Sequence, residues 1–131
     1  MKVFKLLAVA LMLAFGLKAE EIASGVIAGT DITIEVNTAQ DLMIGENRFL
    51  IKLTREGQPL SGAQLEARAF KPNHGPQMPA RDFRAQAVEG QPGIYEAKLP
   101  LDHKCGTWRF GLNIEKDGNR LGAFRAPMPF L

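Results

Sequence analysis

From residue 32 onward the chain repeats one theme, apolar and polar residues in alternation, broken by glycine or proline turns. In residues 31–37, Ile32, Ile34 and Val36 share one side. In 47–54, Phe49, Ile51 and Leu53 share one side, with Arg48, Lys52 and Thr54 mostly opposite. A turn at 55–59 leads to 63–69, again small or apolar against polar, and then to a weaker run at 83–88. Residues 94–101 set Tyr95, Ala97, Leu99 and Leu101 against Glu96 and Lys98. Residues 107–116 group Trp108, Phe110, Leu112 and Ile114 ahead of the turn Lys116-Asp117-Gly118-Asn119. A last strand is expected over 120–125 and a first edge strand within 20–30, whereas 126–131, with Pro127 and Pro129, reads as a tail that cannot fully join a ladder.

Period two in short runs bounded by turn residues predicts half-buried strands, and no run after residue 19 sustains a helical period. The expected fold is all-β: about seven antiparallel strands in an immunoglobulin-like β-sandwich, each with one face inward. Tyr95, Trp108 and Phe110 belong to its core, Trp108 between the sheets and Tyr95 with its hydroxyl bonded in the manner of a corner tyrosine.

Residues 1–19 read differently. A short basic start, MKVFK, precedes the apolar run LLAVALMLAFG, and Leu17-Lys18-Ala19 ends on a small residue. That layout predicts a secretory signal peptide cut after Ala19, leaving one domain over 20–131. The competing reading, an uncleaved N-terminal membrane anchor, meets the difficulty that a spanning helix takes about 20 apolar residues. Removal of the segment takes Lys2, Lys5 and Lys18 with it, so 13 basic residues remain against 14 acidic and the charge moves from +2 to −1. With no Lys/Arg run and a single Trp and Tyr for stacking, nucleic-acid binding is excluded.

The chemistry concentrates in two places. The stretch KPNHGPQMPARDF, residues 71–83, holds His74 and Met78 among three prolines that restrict φ and stiffen the connection. His103-Lys104-Cys105 sets an imidazole and a thiol two residues apart, on one side of an extended chain. Cys105 is the only cysteine, so no internal disulfide forms; the thiol is buried, paired with another molecule, or bound to metal. Met43 and Met128 read as packing or surface residues. Together His74, Met78, His103 and Cys105 form a set of soft sulfur and imidazole donors that favours Cu(I). Each also has a plain alternative: solvated loop residues for the histidines, packing for Met78, burial for Cys105. Whether the two segments meet depends on strand order, which period and spacing leave open. Zinc spacing and acidic calcium loops are absent.

An ordered set of short motifs resembles the FixH/YtkA-like family of exported domains. It comprises Gly45-Glu46-Asn47, Gly57-Gln58-Pro59-Leu60-Ser61-Gly62-Ala63, Met78-Pro79, Gly93-Ile94-Tyr95-Glu96-Ala97 and Gly106-Thr107-Trp108, over roughly residues 40–116. The resemblance implies a periplasmic or membrane-anchored domain associated with copper handling, serving a membrane-bound copper-enzyme assembly or efflux complex. The chain departs from the family's pattern at Lys104, where a methionine is expected, and its 71–82 loop is poorer in Met and His.

The expectation is therefore a periplasmic Cu(I)-binding or chaperone-like accessory domain, with a metal-free, exported interaction module as the alternative. Catalysis is not expected. His103 and Cys105 would lie about 6–7 Å apart along a strand, too far for direct proton transfer, and neither a nucleophile turn nor a phosphate loop is present. No small-molecule substrate is inferred.

Overall fold

A computed structural model describes residues 20–38, 45–70, 81–101 and 108–127. Nine strands occupy them, with no helix: β1 (Glu20–Val26), β2 (Ile32–Thr38), β3 (Gly45–Arg55), β4 (Gln58–Pro59), β5 (Gln64–Phe70), β6 (Arg81–Ala87), β7 (Ile94–Leu101), β8 (Arg109–Lys116) and β9 (Asn119–Pro127). The period-two runs account for most of these. The count rises above seven because β1 is a full strand and because two residues after the 56–57 turn, Gln58 and Pro59, fold back on β3 as β4. The last strand also runs further than the sequence suggests. Ala126 is buried opposite Phe110, and Pro127 closes β9 at the edge of the sheet, where a missing N–H is tolerated.

All pairings are antiparallel, along the order β1-β2-β3-β7-β6-β5-β8-β9 with β4 on the side of β3. The path folds into two layers through β6. Its first part pairs with β5, from Ala69↔Arg81 to Leu65↔Ala85, and its last two residues, Gln86 and Ala87, pair with β7. One layer holds β1, β2, β3, β4 and β7; the other holds β5, β8 and β9. The outer strands also approach each other: a Cβ on Gly122 of β9 would stand 2.5 Å from an Ile27 methyl, and one on Gly25 of β1 would stand 3.6 Å from the Phe124 ring. Little of the sandwich interior is left open on that side.

The core is the sum of the inward positions: Ile32, Ile34 and Val36; Phe49, Ile51 and Leu53; Leu65, Ala67 and Ala69; Tyr95, Ala97, Leu99 and Leu101; Phe110, Leu112 and Ile114. Phe49 and Phe110 meet across the layers with ring centroids 5.4 Å apart, and Trp108 is buried just ahead of β8. Each fully buried large side chain contributes about 1.5–3 kcal/mol through apolar burial. On β5 the small inward residues Ala67 and Ala69 stand beside the large Leu112 and Phe110 of the neighbouring β8. Leu50 and Ile94 point outward yet are buried, because Val88 and the turn after β6 cover them in a small second cluster.

At one end of the sandwich, turns tie the strands together tightly. Asp117 and Gly118 both have positive φ (54° and 80°), as the two-residue β8–β9 hairpin requires. Leu60 donates to Leu53 O at 2.9 Å, and Leu53 donates to Gly93 O at 2.8 Å. Gly93, at φ 77°, lies so close beneath Pro59 and the Leu53 carbonyl that a Cβ would stand 2.8 and 2.9 Å from them. Over this junction the buried Tyr95 hydroxyl donates to Leu60 O at 2.7 Å and accepts from the Ala63 N–H at 3.2 Å. The motifs Gly57–Ala63 and Gly93–Ala97 thus meet physically, and their glycines, proline and tyrosine lock the turn end.

Burial pushes the Tyr95 phenol above its ordinary 10.0, against a smaller opposing pull from the Ala63 N–H. Because the folded value lies above the unfolded one, its contribution to stability is fully present below pH 10 and is lost as pH rises through the folded value. Tyr95 is the only tyrosine, so tyrosinate absorbance reads it alone. The native protein will titrate above 10.0, and the urea-unfolded chain will return to about 10. Tyr95→Phe will lower unfolding stability by about 1–3 kcal/mol in urea denaturation, since it strips a partner from the buried Leu60 carbonyl and from the part-buried Ala63 N–H.

Candidate metal centre

His74, Met78, His103 and Cys105 all lie outside the described residues, as do Met43, Met128 and the first 19 residues. What the fold does define is where the segments that carry them are attached. Phe70, the residue before 71–80, sits opposite Arg109 at the start of β8, and Arg81, the residue after it, sits opposite Ala69. Segment 102–107 leaves from Leu101 and re-enters at Trp108, directly before Arg109. Segment 39–44 joins Thr38 to Gly45, and Gly45 pairs with Leu101. The chain after β9 departs from Pro127, which pairs with Arg109.

These anchors are all at one end. The described turns, at 27–31, 56–57, 60–63, 88–93 and 117–118, lie at the other. In an antiparallel ladder of fixed register the ends are not interchangeable, because adjacent strands stand about 4.8 Å apart and their termini are neighbours. The two segments with predicted ligands therefore spring from adjacent strand ends, β5 and β8. A six-residue segment such as 102–107 reaches at most about 20 Å. Beyond residue 19, both histidines, the cysteine and every methionine of the chain belong to segments attached at this end. Met43 and Met128, read from sequence as packing or surface residues, share that attachment. Only strand order reveals this; neither residue has a local signal.

The described floor of this end is firm. Gly45 opens β3 at φ 109°, and buried Asn47 donates from its side-chain nitrogen to Gly45 O at 3.0 Å. Leu101, Trp108 and Phe110 are buried beneath, so the attachment points rest on the main core. On the outer side, Phe70 lies between the guanidinium carbons of Arg68 and Arg125, 5.6 and 5.8 Å from its ring centre. Such cation–π contacts hold the end of β5 at about 0.5–1 kcal/mol each. Among the described residues no group of three or more His, Cys, Asp or Glu could hold a metal ion.

The YtkA-like family profile matches residues 28–113, well over half of the chain. The chain belongs to the YtkA-like family. Among solved structures, the YtkA-like chain is similar to a copper-bound FetP variant from uropathogenic Escherichia coli strain F11, with a TM-score of 0.62 and 7% identity over 87% of this chain and 99% of that one. A DUF4785 family protein from Legionella pneumophila aligns with a TM-score of 0.52 and 12% identity over 79% of this chain, but only 29% of its own. At these identities the likeness is one of fold. No curated protein matches the chain. The matched residues 28–113 include the Tyr95 junction at the turn end.

If the two donor segments meet, a thiol placed at position 74 will reach Cys105. In the His74→Cys variant, a short bis-maleimide will give an internally bridged monomer in intact-mass analysis. The same reagent will give no internal bridge when the new thiol is placed at Gly90, at the turn end.

Proposed function

We propose that this YtkA-like domain is exported and binds Cu(I) at the end of the sandwich opposite the turn lock, as an accessory to copper-enzyme assembly or copper efflux. The observation that carries this reading is the shared attachment of all soft donors beyond residue 19 to one end of a rigid core. The copper in the FetP relative of the same fold supports it. The basic-apolar-small layout of residues 1–19 supports export, with the periplasm as destination and cleavage after Ala19.

The donor set fits the ion. Cu(I) prefers thiolate, thioether and imidazole, and His74, Met78, His103 and Cys105 supply all three. A bound cuprous ion would supply a transferable metal centre, not a hydrolytic one. The protein's own residues would do the rest: Cys105 loses its proton on binding, and the histidines bind as neutral imidazoles, so uptake weakens as pH falls. The prolines at 72, 76 and 79 reduce the entropy lost when 71–80 settles into one shape. A partner complex in the membrane would receive or deliver the ion.

Anaerobic Cu(I) titration against a competing chelator tests this. The wild type will take up copper at micromolar competition. His74→Ala, Met78→Ala, His103→Ala and Cys105→Ser will each weaken uptake, with Cys105→Ser the most harmful at about tenfold or more. A wild type that takes up no copper, or four variants indistinguishable from it, leaves the alternative of a metal-free docking module. Mass analysis of the exported protein will show a chain that begins at Glu20.

A further inference from the structure

The two outer faces of the sandwich are charged in different ways. On the layer of β2, β3 and β7 three cations are matched by carboxylates, Arg48 with Glu96 at 3.1 Å, Lys52 with Glu35 at 3.8 Å, and Arg55 with Asp31 at 3.1 Å, which leaves exposed Lys98 opposite Arg48. On the other layer, strand alternation sends Arg68, Arg84, Arg109, Arg120 and Arg125 outward, against only Glu66 and Glu115 among the side chains described. Arg84, Arg109, Arg120 and Arg125 are exposed, and none forms an ion pair with another described residue. The face is also shaped. A shallow depression of about 370 Å3 runs across it, with Arg84, Arg120 and Arg125 converging alongside the amides of Gln64 and Asn113. Gly111 deepens the sheet surface next to it, since a Cβ there would press on Arg68 and Phe70 at 3.1 and 3.2 Å.

We propose that this arginine-lined face of β5, β6, β8 and β9 docks an acidic segment of a partner polypeptide. This goes beyond copper binding and does not depend on it. Four exposed guanidiniums with no carboxylate partner among the described residues, gathered on one face, call for an anionic complement, and Arg forks match carboxylates in bidentate geometry. A polypeptide suits the face better than a lipid surface does. Glu66 and Glu115 stand between the arginines and would repel a uniform layer of phosphates, while with Gln64 and Asn113 they offer acceptors and donors for a mixed acid-and-amide chain. The face reaches Phe70, Arg109 and Arg125 at the end where the donor segments attach, so a partner seated on it lies beside them.

The test uses the purified protein and an octaglutamate peptide, with octalysine as control, in titration calorimetry at low and high salt. Octaglutamate will bind, weaken as salt rises, and lose about tenfold or more in affinity in Arg84→Gln/Arg120→Gln/Arg125→Gln. The variant Arg48→Gln/Lys52→Gln/Arg55→Gln removes the same charge from the opposite face and will bind as the wild type does. Equal loss in both variants reduces the effect to net charge and overturns the proposal. So does the absence of octaglutamate binding, binding only to phosphatidylglycerol vesicles, or an arginine-dependent dimer in its place. Thermal melts confirm that both variants fold. The copper titration on the same samples is read separately: a failure there leaves docking intact, and a failure here leaves copper uptake intact.

Discussion

One unbroken antiparallel ladder, from β1 to β9, fixes both the core and the poles of this molecule. Every neighbouring pair runs head to tail with defined register, so each strand end belongs to one pole or the other. The same register forces side chains to alternate between interior and solvent. A one-residue slip in β3 would expose Phe49, Ile51 and Leu53 together and bury Arg48 and Lys52, which is why the apolar pattern holds the register so firmly.

The poles then diverge in kind. One is closed by short turns and by the Tyr95 hydroxyl, which binds Leu60 and Ala63 over the close approach of Gly93 to Pro59. The other receives the longer segments with the soft donors, over a floor of Asn47, Leu101 and Trp108. Rigidity at one pole and chemical variety at the other are a division common to sandwich domains, whose loops carry function on a fixed scaffold. Pro59, Gly93 and Tyr95, all within the residues that match the family, belong to the locked pole.

Much of this architecture is legible in the chain itself, because alternation is a direct consequence of one-sided burial. Ile32, Ile34 and Val36, or Trp108, Phe110, Leu112 and Ile114, are plain from their spacing. Other features are not. Leu50 and Ile94 break the alternation as outward apolar residues, and only the crossing of Val88 over them shows why. The passage of β6 from one layer to the other leaves no mark in a short, weakly patterned run. For the candidate site, the donor types are legible as residue identities, but the shared attachment of their segments is not. The segments that carry His74 and Cys105 are far apart in sequence, and their attachment points become neighbours only through the pairing of β5 with β8, a non-local contact that periodicity does not encode. The segments of Met43 and Met128 attach at the same end for the same reason. The arginine face likewise emerges only when strands separated in sequence are laid side by side.

The proposed copper site lies at the donor pole. Backbone amide resonances of the protein, followed during anaerobic Cu(I) addition, test it most directly. Resonances of Gly45, Phe70, Leu101 and Trp108, which frame that pole, will shift, while those of Gly57, Gly90 and Gly118 at the turn pole will stay unmoved. Changes centred on the turn pole, or no changes at either, would contradict it.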